Sequence, residues 1–236
     1  MKKRYKVIIS FILILSLLLI SVFVYININT YEAHAFDDTL YPYQENQNYL
    51  FFEHENPEAV IVIYQGGLVS TEAYIPFSSK LRDKGYHVYL MKMPLNLAIL
   101  NTSMIDEVIQ KHASLPYYGV GHSLGGAALS FWIEDHPDAL EGMIYLASYS
   151  SVNLTHASSR ILSIYGTRDG VLSDQEFFTA SKYYNDTFQL EMIIGGNHAN
   201  YFNYGPQEGD LTACISMETQ QLMTIEMIVE FIKMDS

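Results

Sequence analysis

The pattern of apolar and polar positions divides the chain into three stretches. Val7 to Ile26 form one apolar run without a charge, interrupted only by Ser10, Ser16 and Ser21. About 20 helical residues at 1.5 Å each match the roughly 30 Å hydrocarbon core of a bilayer, so the run predicts a transmembrane helix over residues 7–27. Residues 28–47 are polar and rich in Asn, Tyr and Asp. They read as a stalk, with a short edge strand near residues 39–43. From residue 48 to 236 the pattern is that of one folded domain. Residues 48–53 suit an early strand. Dense β-branched or aromatic runs at 59–64, 87–93, 117–122, 143–147, 161–165 and 190–194 predict strands. Segments near 73–84, 104–113, 127–134, 174–184 and 217–232 carry helical character, and Gly85 caps the first of them. Strands alternating with helices predict an α/β fold, a mostly parallel sheet with helices on both faces, and loops gathered on the rim of strand C-termini. Only about a dozen residues separate the strand ending at Ala147 from the next, too few for a large lid or cap domain, so the cleft is expected to be open.

Charge and length narrow the function classes. A chain of 236 residues buries one sizeable core. Four of its 13 basic residues, Lys2, Lys3, Arg4 and Lys6, form a stub over residues 1–6. The nine that remain stand against 26 acidic residues, a formal charge of −17 with histidines neutral. Such a surface repels phosphate backbones, which argues against a nucleic-acid partner. Cys214 is the single cysteine, so neither an intrachain disulfide nor a multi-cysteine metal cluster can form. The positive-inside rule keeps the basic stub in the cytoplasm and exports the rest. The long apolar run favours an uncleaved signal anchor in the cell membrane. Ala33-His34-Ala35 has the small-x-small form of a cleavage site, which leaves a secreted product as the alternative. No cysteine stands near the end of the run, which excludes lipoprotein processing.

Candidate chemistry centres on Gly121-His122-Ser123-Leu124-Gly125-Gly126, a Gly-x-Ser-x-Gly motif between a strand and a helix. In that context a sharp turn lifts the serine hydroxyl clear of the sheet, so Ser123 is the candidate nucleophile. A serine needs a base, and the base needs a carboxylate to hold its tautomer. His198 follows the last strand in Gly195-Gly196-Asn197-His198, and Asp169 follows an earlier one in Gly166-Thr167-Arg168-Asp169-Gly170. The order Ser, Asp, His is that of the α/β-hydrolase arrangement. Asp174 is the rival acid, although its place after Ser173 suits a helix start. The oxyanion hole should take the Leu124 N–H and a second amide from Gln65-Gly66-Gly67-Leu68, with Gly67 and Leu68 as the candidates. Glu72 and Tyr74 either line the cleft or cap and pack the next helix, and the aromatic residues 201–204 shape a wall or pack. No spacing supports a metal site, a dinucleotide fingerprint or a phosphate loop, so no cofactor is expected.

These motifs resemble those of small bacterial α/β-hydrolases, distantly similar to the dienelactone hydrolases. The likeness runs from about Ala59 to the C-terminus. It includes Tyr64-Gln65-Gly66-Gly67, Glu72-Ala73-Tyr74, Lys92-Met93-Pro94-Leu95-Asn96 and Tyr165 to Gly170. It also includes the segments 195–199 and 204–207. The resemblance implies an α/β-hydrolase fold with Ser123, Asp169 and His198 as nucleophile, acid and base. Dienelactone hydrolases use a cysteine at the elbow, so their substrate is not carried over. The expected activity is carboxylic ester hydrolysis through an acyl-enzyme on a small-molecule acyl substrate, outside the membrane. An acyltransferase, or an amide or thioester hydrolase, would use the same triad. A non-catalytic surface-binding protein on this scaffold is the other alternative.

Overall fold

The apolar run that opens the chain is helical. In this computed structural model, which describes residues 2–234, α1 spans Lys2–Asn29. The chain divides between Thr30 and Tyr31 into two units. The side chains of residues 2–4 and of Asp174 also lie outside the described part, so the basic stub is described mainly through its backbone. Within α1, Tyr5–Asn29 is long and apolar enough to cross a membrane, with a mean hydropathy of 3.2 over its most apolar 18 residues. Its polar side chains turn back onto the helix. The Ser16 and Ser21 hydroxyls each donate to the carbonyl four residues earlier at 2.8 Å, which satisfies them without water.

The second unit is built on an eight-stranded sheet. Its strands are β1 (Gln44–Glu45), β2 (Tyr49–Phe52), β3 (Ala59–Tyr64), β4 (Tyr86–Met91), β5 (Tyr117–His122), β6 (Gly142–Leu146), β7 (Arg160–Gly166) and β8 (Gln189–Ile193). They lie in the order β1-β2-β4-β3-β5-β6-β7-β8. β1, β2 and β4 pair antiparallel, and every pairing from β4 through β8 is parallel. The two faces are read off single strands. Ile61, Ile63 and Val120 face a core that includes Phe77 of α2 (Ile75–Asp83) and Ile228 of α5 (Met217–Lys233). Val60, Val62 and Tyr145 face the other core, with Leu129, Trp132 and Ile133 of α3 (Leu124–Asp135). Strands covered on both faces are apolar at successive positions, which is why these runs were legible without alternation.

Three expectations need correction. The stalk expected at 28–47 is not separate from the domain, because the second unit begins at Tyr31. The Tyr31 N–H donates to Leu68 O at 2.7 Å and the Ser70 N–H to Tyr31 O at 3.0 Å, while the His34 N–H donates to Asn203 O at 2.8 Å. The edge strand near 39–43 is instead a 3₁₀ turn, Asp38–Leu40, capped by Asp37, and the edge pairing falls at β1. The helix expected at 104–113 is a single 3₁₀ turn, Met104–Glu107, followed by turns. There, side chains from elsewhere take the backbone groups a helix would have used. The Tyr64 hydroxyl accepts from the Ile105 N–H at 2.8 Å, and the Tyr117 hydroxyl accepts from the His112 N–H and donates to Val108 O.

Candidate active site

β5 is buried along its length and carries the chain to Ser123, whose backbone sits at φ 49°, ψ −122°. A side chain rarely adopts that left-handed conformation, and a sharp strand-to-helix turn requires it here. The turn closes because its flanks lack side chains. A Cβ on Gly121 would strike Gly126, and one on Gly125 would lie 2.6 Å from Gln65 O. Neighbouring strands tie the elbow down. The Ser123 N–H donates to Leu146 O at 3.0 Å, and the Ser148 hydroxyl donates to Ser123 O at 2.6 Å.

Asp169 follows β7 and His198 follows β8, so neighbouring parallel strands bring the two loops together. His198 Nδ1 lies 2.8 Å from Asp169 Oδ2, with side-chain exposures of 1% and 0%. The other carboxylate oxygen accepts the Val171 and Leu172 amides at 2.9 and 2.8 Å, which fixes the plane of the acid. With Nδ1–H given to Asp169, Nε2 of the neutral imidazole is an acceptor. Nε2 is buried and has no hydrogen-bond partner among the described residues. Ser123 and His198 border one cavity of about 340 Å³, although the serine hydroxyl is not hydrogen-bonded to Nε2 in this state. Such contacts are often loose before substrate binds. A second carboxylate positions the histidine loop: Asp210 accepts the amides of Gly170, His198 and Ala199 at 3.0–3.2 Å, joining the two loops.

The structure separates the two amides expected to complete the oxyanion hole. The Leu68 N–H donates to Asn96 O at 2.8 Å, so the expectation for Leu68 is set aside. Among the described residues, no hydrogen bond takes the amide of Gly67 or of Leu124. Leu124 begins α3, where the first N–H groups have no partner within the helix. A Cβ on Gly67 would touch the Leu124 side chain at 3.1 Å, so this glycine packs directly against that side chain. The buried Gln65 side chain holds this loop, donating to Val69 O and Asn96 Oδ1 and accepting from the Thr71 hydroxyl.

Tyr74 and residues 201–204 pack rather than line the cavity, and Glu72 does not border it. Tyr74 nonetheless reaches the site from behind. Its hydroxyl accepts the Gly66 N–H at 2.7 Å and lies 2.9 Å from His122 Nδ1, while His122 Nε2 lies 3.3 Å from His198 O. One donor assignment satisfies the whole chain: Tyr74 O–H to Nδ1, and Nε2–H to the carbonyl. Burial, then the neighbouring His198, push the His122 imidazole well below its ordinary pKa of 6.5, which keeps it neutral in that role. The loop carrying Gly66 and the loop carrying His198 thus meet at one buried imidazole. Sequence reading missed this bridge and the parts played by Ser148, Asn96 and Asp210, although Tyr74, His122 and Asn96 all stand within the quoted motifs.

Residues 60–222 match the family model described as "Alpha/beta hydrolase family". This chain belongs to that family. No curated protein sequence matches it significantly. Among solved structures, the α/β hydrolase is similar in fold to a monoacylglycerol lipase of Paleococcus ferrophilus. The TM-score is 0.58 at 13% identity, over 78% of this chain and 99% of that one. It is also similar to Est1E of Butyrivibrio proteoclasticus, with TM-score 0.58, 14% identity, and coverage of 80% and 97%. A monoglyceride lipase of Saccharomyces cerevisiae gives TM-score 0.61 at 8% identity, over 81% and 94%. At these identities the likeness is one of fold. The dienelactone-hydrolase similarity is not shown by these matches.

Proposed function

We propose that this α/β hydrolase is a serine carboxylic ester hydrolase that works through an acyl-enzyme. The observation that carries the reading is the buried His198–Asp169 pair, at 2.8 Å, whose unpartnered Nε2 shares a cavity with Ser123. Ser123 Oγ attacks the ester carbonyl carbon while its proton passes to His198 Nε2. Asp169 holds the ring and stabilises the imidazolium. The new oxyanion takes the amides of Leu124 and Gly67, which have no other partner among the described residues. Collapse breaks the bond to the alcohol oxygen, and the alcohol leaves with the proton from Nε2. Water then gives its proton to Nε2 and attacks the acyl carbon, releasing the acid and restoring Ser123.

Location is part of the same proposal. α1 anchors the chain in the cell membrane, and the basic residues before it keep the catalytic unit outside. The fold supports retention of α1 over cleavage near Ala35. Cutting there would remove Tyr31 and His34, whose backbones bond to Leu68, Ser70 and Asn203. The test is hydrolysis of short p-nitrophenyl esters by the full-length chain in detergent. A burst of one nitrophenol per enzyme, abolished in Ser123→Ala, is the expected result. Activity that survives in Ser123→Ala contradicts the proposal.

A further inference from the structure

The cavity in front of Ser123 has one carboxylate among its lining residues, Glu176, and neither lysine nor arginine. Glu176 lies in α4 (Asp174–Ala180), three residues beyond the N-cap Ser173. Ser-x-x-Glu is the pattern of a capping box, in which the glutamate turns back to the N-cap amide. Half of that box is present, since the Ser173 hydroxyl accepts the Glu176 N–H at 3.3 Å. The carboxylate does something else. Its Oε2 accepts the Tyr149 hydroxyl at 2.9 Å, from the loop after β6 that also borders the cavity. Burial and the Glu176 charge both push the Tyr149 phenol above its ordinary pKa, so it stays protonated and donates. The second carboxylate oxygen takes no protein donor among the described residues. The remaining lining is neutral, with Leu124, Ala127, Val171 and Leu172 on the apolar side and serines on the polar side.

We propose that Glu176, oriented by Tyr149, is a cation subsite of this cavity, and that the preferred ester carries an ammonium group. The inference rests on Ser123 being the nucleophile of an ester hydrolase. A positive charge is attracted to the open carboxylate oxygen, whereas an anionic acyl or alcohol group meets a like charge with no lysine or arginine among the lining residues. The formal charge of −13 over the whole chain favours the approach of cations over anions. The ammonium can sit in the acyl part, as in an aminoacyl ester, or in the alcohol, as in a choline-like ester. Both present a positive charge to Glu176, and the primary ammonium adds N–H donors that the quaternary one lacks.

The test uses the full-length chain in detergent with two isosteric pairs. One pair is a choline ester against the 3,3-dimethylbutyl ester of the same acid. The other is an alanyl ester against the isobutyryl ester of the same alcohol. The readout is the cationic-to-neutral ratio of kcat/KM within each protein, which cancels any loss of folded enzyme. At low ionic strength, Glu176→Gln should lower the ratio for one pair by about 5-fold or more, and Glu176→Lys should lower it further. The effect should shrink with added salt. The pair that moves tells whether the ammonium belongs to the acyl or the alcohol side. Ratios that stay within about 2-fold of wild type in both variants overturn the subsite. If Ser123 reacts with a fluorophosphonate and the neutral esters turn over while the ratios stay put, the cation subsite alone falls. If Ser123 neither reacts nor turns over any ester, the hydrolase reading falls and takes this inference with it.

Discussion

Residue by residue, the candidate site leaves few polar atoms without partners. Asp169 has both oxygens engaged, while His198 keeps one nitrogen open toward the serine side of the cavity. Replacing Asp169 with Asn should leave the shape of the site but favour the wrong tautomer. Steady-state kinetics should show kcat lower by about 10⁴-fold with KM nearly unchanged. His122 makes a second prediction. Its folded pKa is depressed, so the unfolded chain binds more protons in the range below 6.5. Its neutral form therefore supports the fold fully above that value, and the support is lost as pH falls toward the depressed pKa, at about 1.4 kcal/mol per unit. His122→Phe removes that titration and leaves the Tyr74 hydroxyl short of an acceptor. Denaturant titrations should show the variant less stable than wild type at pH 7.5, with the gap narrowing toward pH 5. Ser123, Asp169 and His198 were legible because each directly follows a strand, where parallel topology gathers side chains on one rim. Leu68 could not be separated from Gly67 in the sequence, since the direction of its amide is set by a carbonyl 28 residues away.

At the scale of elements, close approach of backbones decides what the elbow tolerates. Gly125→Ala would push a methyl against the carbonyls of Tyr64 and Gln65, which are backbone atoms of β3 and its loop. A loss of about 1–3 kcal/mol is expected by thermal or denaturant unfolding, with catalysis falling by more than the unfolded fraction explains. The β3, β5, β6 and β7 runs read correctly because continuous burial leaves an apolar signature. Residues 104–113 did not, because hydroxyls from Tyr64 and Tyr117, remote in sequence or in orientation, replace helical bonds there. Residues 31–34 failed for a similar reason. Their composition is polar, but their backbone bonds hold the oxyanion loop on one side and the loop after His198 on the other. The Tyr31 ring lies 5.9 Å from Tyr204, and its hydroxyl accepts the Glu208 N–H at 3.1 Å. Tyr31→Ala in the full chain should therefore cost about 1–2 kcal/mol in stability and lower kcat as both loops loosen.

At the scale of the whole molecule, two properties bear on where and on what the enzyme works. Among the described residues one helix is suited to a bilayer by length and composition, ahead of a unit with a strongly acidic balance. Membrane fractions of expressing cells should retain the full-length protein after alkaline extraction, with α1 still attached and the catalytic unit open to added protease. A soluble product beginning near residue 36 would contradict the anchor. Activation of Ser123 by the buried Asp169 and His198 is read out by covalent labelling. The full-length chain in detergent is treated with a fluorophosphonate and the modified peptide is identified by mass spectrometry, alongside Ser123→Ala and His198→Ala. The expected result is a single adduct on Ser123, absent from the first variant and formed at least about 10³-fold more slowly in the second. An adduct on another residue, or a folded protein whose Ser123 reacts no faster with His198 than without it, would contradict the triad.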